Sequence, residues 1–428
     1  MTSNNPVTRR TFLKTGTAIA AGTAAGMTAA SYEKIVGAND RIRIGFIGVG
    51  GMGGGHVRAI ASLKKKNNLE GVATADCWKT RADAAAKVVG ASKSFQDYRK
   101  VLDIKDIHYT LIAVPEHWHA KIAIDAMDAG KAVYVEKPMT HTIPQAQAVM
   151  KKQKETKMPL QVGVQAMSDD SYSSAAKVIK EGILGQVVQA QIEYVRRYVG
   201  RGPWRVLDPN KEHPQPKDLD WNTWLGHAPK IDWNPHHYFE WRNYSRYSGG
   251  ICTDLFIHRI TRIMKACDLL YPRRVVGMGG IWKWNDGRDL PDNFEMICEY
   301  PRGMTVYVLG TMSNRVGIDH LIRGYRATMY FHSGGWTVKD NSGRGDKVIA
   351  EHKKTGGEDI RLHHTNLQNH LRNGEPLNCP VELGMAGVVA VNMANESWRT
   401  SQVMAWDPKN EKMVPGHTIE LPHTPEKV

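Results

Sequence analysis

Short apolar runs alternate with helix-like segments between Arg41 and Gln165, and this alternation constrains the fold more than any other feature. The runs are RIRIGFIGV, LEGVATAD, YTLIAVP, KAVYVEKP and LQVGVQ. They are apolar almost throughout, as strands covered on both faces must be. The segments GHVRAIASLKKK, RADAAAKVV, HAKIAIDAMDAG and PQAQAVMKKQKE separate them with helical spacing. Strands alternating with helices predict right-handed crossovers and an α/β domain with a doubly wound parallel sheet.

The pattern changes after Gln165. The runs NFEMICEY and MTVYVLGTM flank Pro301-Arg302-Gly303, which is typical of a β-hairpin. Helices are expected over 172–181, 250–270, 361–373 and 381–400, and the last two close the chain. The second half therefore predicts an α+β domain whose mostly antiparallel sheet is open on one face. The expected divisions are 1–38 for a leader, 39–165 for the α/β domain and 166–428 for the α+β domain.

A glycine-rich segment directly follows the first apolar run and precedes a helix-like segment. It fits the pattern G-x-G-x-x-G, in which Gly48 permits a tight turn, Gly50 lets the backbone approach a pyrophosphate, and Gly53 allows close helix packing. The helix N-terminus at this point faces the phosphates. The segment predicts a dinucleotide site whose loop residues are Gly48, Gly50, Gly51, Met52 and Gly53.

Asp76 indicates which dinucleotide to expect. It ends the second apolar run, where an acidic side chain would bind the ribose hydroxyls. Its charge disfavours a 2′-phosphate by repulsion, so NAD is the expected cofactor. NADP is the alternative, because Lys79 and Arg81 are close in sequence.

Polar residues follow the third and fourth apolar runs. The third ends in AVPEHWH and the fourth in VEKP. Both lie at the carboxyl ends of parallel strands, where open α/β sheets bind ligands. The alternative is a surface turn that contains an ion pair.

The glycine motif, the P-x-x-x-H segment and Glu-Lys-Pro after GKAVYV together resemble the Gfo/Idh/MocA family of oxidoreductases. The resemblance extends from Asn39 to about Arg399. It implies that Lys137 reaches both the nicotinamide ribose and the substrate, and that Pro138 is cis. The cofactor-binding residues that it adds are Pro115, His117, His119, Glu136 and Lys137.

A second signature is GGICTDLFIH, which ends at His258. Asp254 and His258 are four residues apart on a predicted helix, so both side chains lie on one face. A histidine can take the proton from an alcohol as hydride leaves its carbon, and a carboxylate can orient the hydroxyl or the imidazole. Taken alone, the pair also fits a structural helix contact. The stretch resembles the family segment G-G-G-x-x-x-D-x-x-x-H, which implies catalytic roles for Lys137, Asp254 and His258. Thr261 stands where many relatives have an acidic residue.

The passage from Gly200 to Arg246 is rich in Trp and His and includes DWNTWLG and PHHYFEWR. These stretches resemble a subgroup of exported relatives from glycan-degrading bacteria. Aromatic faces stack on sugar C–H surfaces while polar tips bond hydroxyls. The alternative is a core-packed excursion that covers the sheet. The expected substrate-binding residues are Lys137, Gln165, Tyr194, Trp204, Arg242, Asp254 and His258.

Other ligand classes have weaker support. His117, His119, His236 and His237 raise a zinc or manganese hypothesis, but nothing fixes a third ligand and no metal is expected. The five cysteines form no CxxC pair, which argues against a zinc site or a disulfide scaffold. The net charge of +14 could attract acidic partners, but the basic residues are scattered and no nucleic-acid module is found, so a solvated surface is preferred.

The first 31 residues differ in composition from the rest. Arg9 and Arg10 precede a stretch of small and apolar residues with no acid, and TRRTFLK resembles the twin-arginine (Tat) consensus. This predicts export to the periplasm with cleavage near Ala30, or an uncleaved leader that anchors the protein to the membrane. The Tat route exports folded proteins, so a cofactor can be loaded before export. Outside the cytoplasm there is no pool of free NAD(H), which predicts a slowly dissociating cofactor.

These observations favour an exported NAD(P)-dependent oxidoreductase acting on a sugar or sugar derivative. The family resemblance also implies a homo-oligomer, because the open sheet of the second domain often packs against its copy in that family. One alternative is a redox-neutral glycoside hydrolase that uses bound NAD, and no motif separates the two. A non-catalytic dinucleotide-binding protein is a third hypothesis, against which the joint presence of Lys137, Asp254 and His258 argues. The sequence identifies neither the sugar nor the carbon that is oxidised.

Overall fold

In the computed structural model, which describes residues 41–342 and 347–418, the first half of the chain forms a sheet of six parallel strands. The strands are β1 (Ile42–Ile47), β2 (Leu69–Ala75), β3 (Lys93–Phe95), β4 (Tyr109–Ile112), β5 (Ala132–Glu136) and β6 (Leu160–Gly163). Their order is β3-β2-β1-β4-β5-β6. The predicted doubly wound sheet is confirmed. The short edge strand β3 is an addition, because its three residues are at most half-buried and form no apolar run.

Helices cover both faces of this sheet. They are α1 (Gly51–Leu63), α2 (Lys79–Val89), α3 (Arg99–Leu102), α4 (Glu116–Asp128) and α5 (Ile143–Thr156). Helix α5 begins at a capping box in which the Thr142 side chain accepts from the Gln145 amide. The β-strands are almost wholly buried between the two helical layers, as their continuous apolar character predicts.

The second half contains a large, mostly antiparallel sheet. Its strands are β7 (Val187–Arg197), β8 (Arg274–Gly280), β9 (Asn293–Tyr300), β10 (Met304–Thr311), β11 (Ser313–Asn314), β12 (His320–Gly324), β13 (Ala327–His332), β14 (Gly335–Asp340), β15 (Val348–Lys353), β16 (Met404–Asp407) and β17 (Lys412–Pro415). The order is β15-β14-β13-β12-β7-β10-β9-β8-β16-β17, with β11 beside β7. Only β7 and β10 pair in parallel among these described strands. The predicted α+β architecture is confirmed, including the hairpin of β9 and β10.

Helices lie on one face of the large sheet. They are α6 (Asp170–Lys180), α9 (Ile257–Cys267) and α11 (Val381–Thr400), while the short α7 (Trp221–Leu225) and α8 (Pro235–Phe239) belong to the irregular passage. Helix α10 (Ile360–Asn373) instead returns to the first domain, where Leu367 and Leu371 join the core around Phe46. This contact connects a late segment of the chain to the first domain.

The expectation that two helices close the chain was wrong. After α11, strands β16 and β17 return to the edge of the large sheet next to β8. Met404, Ala405 and Trp406 are buried there. The run is too short to stand out from the sequence, and its burial depends on a partner strand over a hundred residues earlier.

The leader predicted over 1–38 lies outside the described residues. Within the described ranges, no helix combines the length and the apolar character needed to cross a bilayer. The five cysteines Cys77, Cys252, Cys267, Cys298 and Cys379 are free in the structure.

Candidate functional site

A cavity of about 510 Å³ lies between the carboxyl ends of the parallel strands and the second domain. Its walls combine the glycine loop, the ends of β2, β4 and β5, the end of β7 and the irregular passage. This is the edge at which open α/β sheets bind ligands. The predicted site residues on its walls are Gly48, Gly50, Gly51, Met52, Asp76, Pro115, His119, Glu136, Lys137, Gln165, Tyr194, Trp204, Arg242, Asp254 and His258.

Two residues predicted to bind the cofactor are not on these walls. A Cβ atom at Gly53 would collide with the carbonyl oxygen of Gly48, so this glycine serves close helix packing, as expected. His117 is corrected from a cofactor ligand to a packing residue. It is buried against the aromatic ring of Trp224, and its Nε2 donates to the Trp224 carbonyl at 3.1 Å.

The glycine-loop end has the features that a dinucleotide requires. Gly48 has φ of +77°, and a Cβ there would lie 2.8 Å from the Val114 amide nitrogen. The first turn of α1 carries neither a side-chain cap nor an acidic residue. Its free backbone amides and positive dipole end are therefore open to phosphate groups.

Asp76 supports the same loop. Its carboxylate accepts from the Val49 amide and from the Trp78 amide, each at 2.9 Å. Burial raises the pKa of this carboxyl, and the two backbone donors oppose that shift. The residue thus ties the glycine loop to the end of β2 at the place where a ribose would lie.

Lys137, Asp254 and Arg242 form a charged cluster where the two domains meet. The Lys137 ammonium donates to the Asp254 carboxylate at 2.8 Å and to its backbone carbonyl at 2.7 Å. Arg242 Nε donates to the same carboxylate oxygen at 2.9 Å. Burial alone would raise the pKa of Asp254, but the two cations hold it well below its usual range. Asp254 is therefore ionised and fixes both cations beside the cavity. The Lys137–Pro138 peptide is cis, as the resemblance implies.

His258 lies one helical turn beyond Asp254, after a π-helical turn over Cys252–Phe256. Its Nδ1 is buried without a hydrogen bond and lies 3.5 Å from Oε1 of Glu358. Burial, followed by the charges of Lys137 and Arg262, holds the pKa of His258 well below its ordinary value. The imidazole is consequently neutral near pH 7 and able to accept a proton.

A buried hydrogen-bond network behind Lys137 was not predicted. Glu136 Oε1 accepts from Gln165 at 2.6 Å and from His56 Nε2 at 2.9 Å, and His56 hydrogen-bonds to His364 at 2.8 Å. Although burial opposes ionisation of Glu136, the contact with His56 lowers its pKa. The network connects β5 to α1 and α10 and gives Lys137 a rigid base. His56 and His364 are single histidines within helices, and nothing in the sequence pairs them.

Glu116 supports the segment that carries Asp254. Its carboxylate accepts from the hydroxyls of Ser248 and Thr253 at 2.8 and 2.9 Å, and from the Gly249 amide at 3.1 Å. Burial, together with the charge of Asp254, raises its pKa to about 7. Glu116 was not predicted as a site residue. Its position directly after Pro115, in the AVPEHWH segment, is the sequence feature that could have identified it.

The irregular passage contributes both core-packing residues and cavity-lining residues. Trp221 and Trp224 stack in a buried cluster, so the core-packing alternative describes them, and Trp224 also lines the cavity. Trp204 and Trp241 line the cavity and remain available to a ligand. His236 contacts Glu240 and His237 stacks on Tyr244, and the described residues contain no group of three potential metal ligands.

Each of the two domains matches a model of one known protein family. Residues 42–164 match the model of an oxidoreductase family with an NAD-binding Rossmann fold, and residues 168–268 match the C-terminal α/β domain of the same family. Together the matches cover over half of the chain. The chain belongs to the Gfo/Idh/MocA family of oxidoreductases. The first domain of this Gfo/Idh/MocA protein is accordingly an NAD-binding Rossmann domain.

Individual family members are more distant. Inositol 2-dehydrogenase of Salmonella typhimurium is 31% identical over 147 residues, which are 34% of this chain and 43% of the relative. A glycosyl hydrolase family 109 protein of Shewanella putrefaciens is 27% identical over 44% of this chain and 46% of the relative. The chain thus matches less than half the length of these curated relatives. The structure of levoglucosan dehydrogenase with NADH and levoglucosan superposes with a TM-score of 0.65 at 19% identity, over 88% of this chain and 99% of that one.

Proposed function

We propose that this protein is an exported NAD-dependent oxidoreductase that transfers hydride between a sugar-like alcohol and a tightly held nicotinamide cofactor. The contact of Lys137 with Asp254, beside His258 and in the same cavity as the glycine loop, carries the proposal. Two relatives named for inositol and levoglucosan dehydrogenase activity support a polyol or sugar substrate.

The residues at one end of the cavity fit the cofactor. The N-terminus of α1 and the glycine loop would hold the phosphates, and Asp76 would hold the ribose hydroxyls. Bound NAD would supply the hydride acceptor or donor. Lys137 and Glu136 mark the boundary with the substrate end, because both line the cavity at the end of β5.

The residues at the other end fit acid–base chemistry. Neutral His258 would accept the hydroxyl proton of the substrate as hydride leaves the same carbon, and would return it in the reverse direction. Lys137 would donate a hydrogen bond to that oxygen and stabilise the developing negative charge. Asp254 would position Lys137 and Arg242 through the contacts described above.

Replacing Lys137 by Met tests this assignment. We expect turnover to fall by about a hundredfold or more, because a donor to the developing alkoxide is lost. The measurement is the change in nicotinamide absorbance during sugar oxidation, with bound dinucleotide quantified in each sample. Lys121→Met is the matched control, since Lys121 is exposed on α4. Undiminished turnover of Lys137→Met on a confirmed substrate would refute the role.

The similarity to a glycosyl hydrolase family 109 protein favours one second candidate, a redox-neutral glycosidase. Such an enzyme would oxidise a sugar hydroxyl to a carbonyl and remove the acidified proton from the neighbouring carbon. The leaving group would then depart from the next carbon, water would add to the resulting double bond, and the hydride would return to the carbonyl. Cleavage of a chromogenic glycoside without net change in nicotinamide absorbance would support it. Stoichiometric reduction of the bound dinucleotide by a free sugar would favour the dehydrogenase.

A further inference from the structure

Arg196 lies on the cavity wall and has no acidic partner. It is at the end of β7, where its guanidinium donates to the hydroxyl of Tyr198 at 3.3 Å and to that of Tyr194. Its guanidinium carbon is 4.9 Å from the centroid of the Tyr194 ring. In the described part of the chain, no carboxylate comes within ion-pair distance of it. The side chain is exposed, so the unpaired charge is accessible from the cavity.

Arg259 adds a second unpaired cation at the same ring. Its guanidinium carbon is 4.5 Å from the Tyr194 centroid, and its buried Nε has no hydrogen-bond partner. No carboxylate among residues 41–342 and 347–418 forms an ion pair with it. The neighbouring acids are already engaged: Glu193 contacts His320 at 3.0 Å and Glu358 contacts Arg262 at 2.6 Å.

The charge balance at this end of the cavity is therefore positive. Asp254 and Glu136 balance the charges of Lys137 and Arg242, so the excess positive charge comes from Arg196 and Arg259. Charges that are partly removed from water, as that of Arg259 is, are normally paired, because desolvation without a partner is costly. The neighbouring cations would repel one another less if a negative group were bound among them.

We propose that the substrate is an anionic sugar and that Arg196 binds its carboxylate, sulfate or phosphate group. This inference rests on the proposed function for the sugar part of the ligand. The planar guanidinium can donate two parallel hydrogen bonds to any of the three groups. Tyr194 holds it in place at the cavity wall, and Arg259, at the same ring, adds positive potential.

Binding measurements on matched sugars test the proposal without requiring turnover. The probes are glucose, glucuronate, glucose 6-sulfate and glucose 6-phosphate, with galactose and galacturonate as a second pair. They are titrated calorimetrically into the purified protein with its bound dinucleotide. We expect at least one anionic sugar to bind at least tenfold more tightly than its neutral counterpart, and its identity distinguishes the three acidic groups.

Arg196→Gln should remove this preference, leaving affinities within about twofold of each other. Arg197→Gln is the matched control, because it removes the same charge one residue away and Arg197 does not line the cavity. The preference should persist in this control. Equal binding of neutral and anionic sugars, no binding of any anionic sugar, or equal losses in both variants would overturn the proposal. Anion preference without any redox change would retain this inference and refute the proposed oxidoreductase.

Discussion

The pKa of His258 depends on burial and on charges from several elements. Burial, Lys137 at the end of β5 and Arg262 on α9 disfavour the imidazolium, and Asp254 favours it. The Glu358 carboxylate, from the loop before α10, lies 3.5 Å from Nδ1. Thr261 is uncharged, and its hydroxyl donates to the Ile257 carbonyl at 2.6 Å. Glu358 is thus an acidic residue in direct contact with this histidine, in addition to Asp254.

Glu358→Gln should change the pH dependence of catalysis. Removing the negative charge disfavours the imidazolium and lowers the pKa of His258 further. The acidic limb of the kcat/KM profile, on which His258 becomes protonated, should therefore move to lower pH. The plateau rate should fall by about tenfold, because a weaker base accepts the proton less readily. Initial rates measured across pH 4 to 9 provide the test.

An exposed acid close to Glu358 in sequence controls for the change in net charge. Glu351 on strand β15 is exposed and forms no ion pair within the described chain. Glu351→Gln therefore removes one negative charge and no such contact. Its profile should follow that of the wild type. Glu358→Asp should restore part of the plateau if the carboxylate acts directly on His258. Equal displacement of the acidic limb in Glu351→Gln would show that net charge, rather than this contact, is responsible.

At the level of elements, the irregular passage is fastened to the Rossmann domain beside the glycine loop. The Asp218 carboxylate accepts from Trp78 Nε1 at 3.0 Å, from the Thr80 amide at 2.7 Å and from the Thr80 hydroxyl at 2.6 Å. Its backbone carbonyl accepts from the Lys79 amide at 3.1 Å. These bonds join the passage to the start of α2, which also contributes to the cavity wall through Arg81.

Asp218→Ala should accelerate release of the dinucleotide. It removes three hydrogen bonds to an ionised acceptor, which hold the passage against the start of α2. We expect release during dialysis to become tenfold faster or more, measured as dinucleotide retained per protein by mass spectrometry. Asp232→Ala is the control within the same passage, as its side chain is exposed and forms no ion pair among the described residues. Identical retention by both variants and the wild type would show that the passage does not gate release.

Elements with local signals were predictable from the sequence. The parallel strands, the glycine loop and the hairpin of β9 and β10 each follow from a continuous apolar run or a turn motif. Strands β16 and β17 were missed, because their burial depends on β8. The site residues were predictable to the same extent. Lys137 and Asp254 lie in sequence motifs and were predicted. Glu358 was not, because it contacts His258 from a segment a hundred residues away. Contacts between distant segments leave no periodic pattern in a single sequence.

At the scale of the whole molecule, the cavity is complete only when both domains are folded. Its walls come from the Rossmann domain, from β7 and the irregular passage, and from Glu358 near α10. Helix α10 in turn packs on the first domain through Leu367 and Leu371. Almost the whole described chain must therefore fold before a dinucleotide can be enclosed. That requirement fits the proposed export of a folded protein that already holds its cofactor.

Replacing Arg9 and Arg10 by Lys tests this proposal. We expect the doubly substituted protein to remain in the cytoplasm of a Tat-competent host, because the twin arginines are the recognition feature of the route. Cell fractionation followed by immunodetection measures the distribution, and Lys14→Arg is the control for altered basic residues in the leader. The wild-type protein recovered from the periplasm should contain close to one dinucleotide per chain after dialysis. A periplasmic protein without dinucleotide would contradict loading before export, and unchanged export of the doubly substituted protein would contradict the Tat assignment.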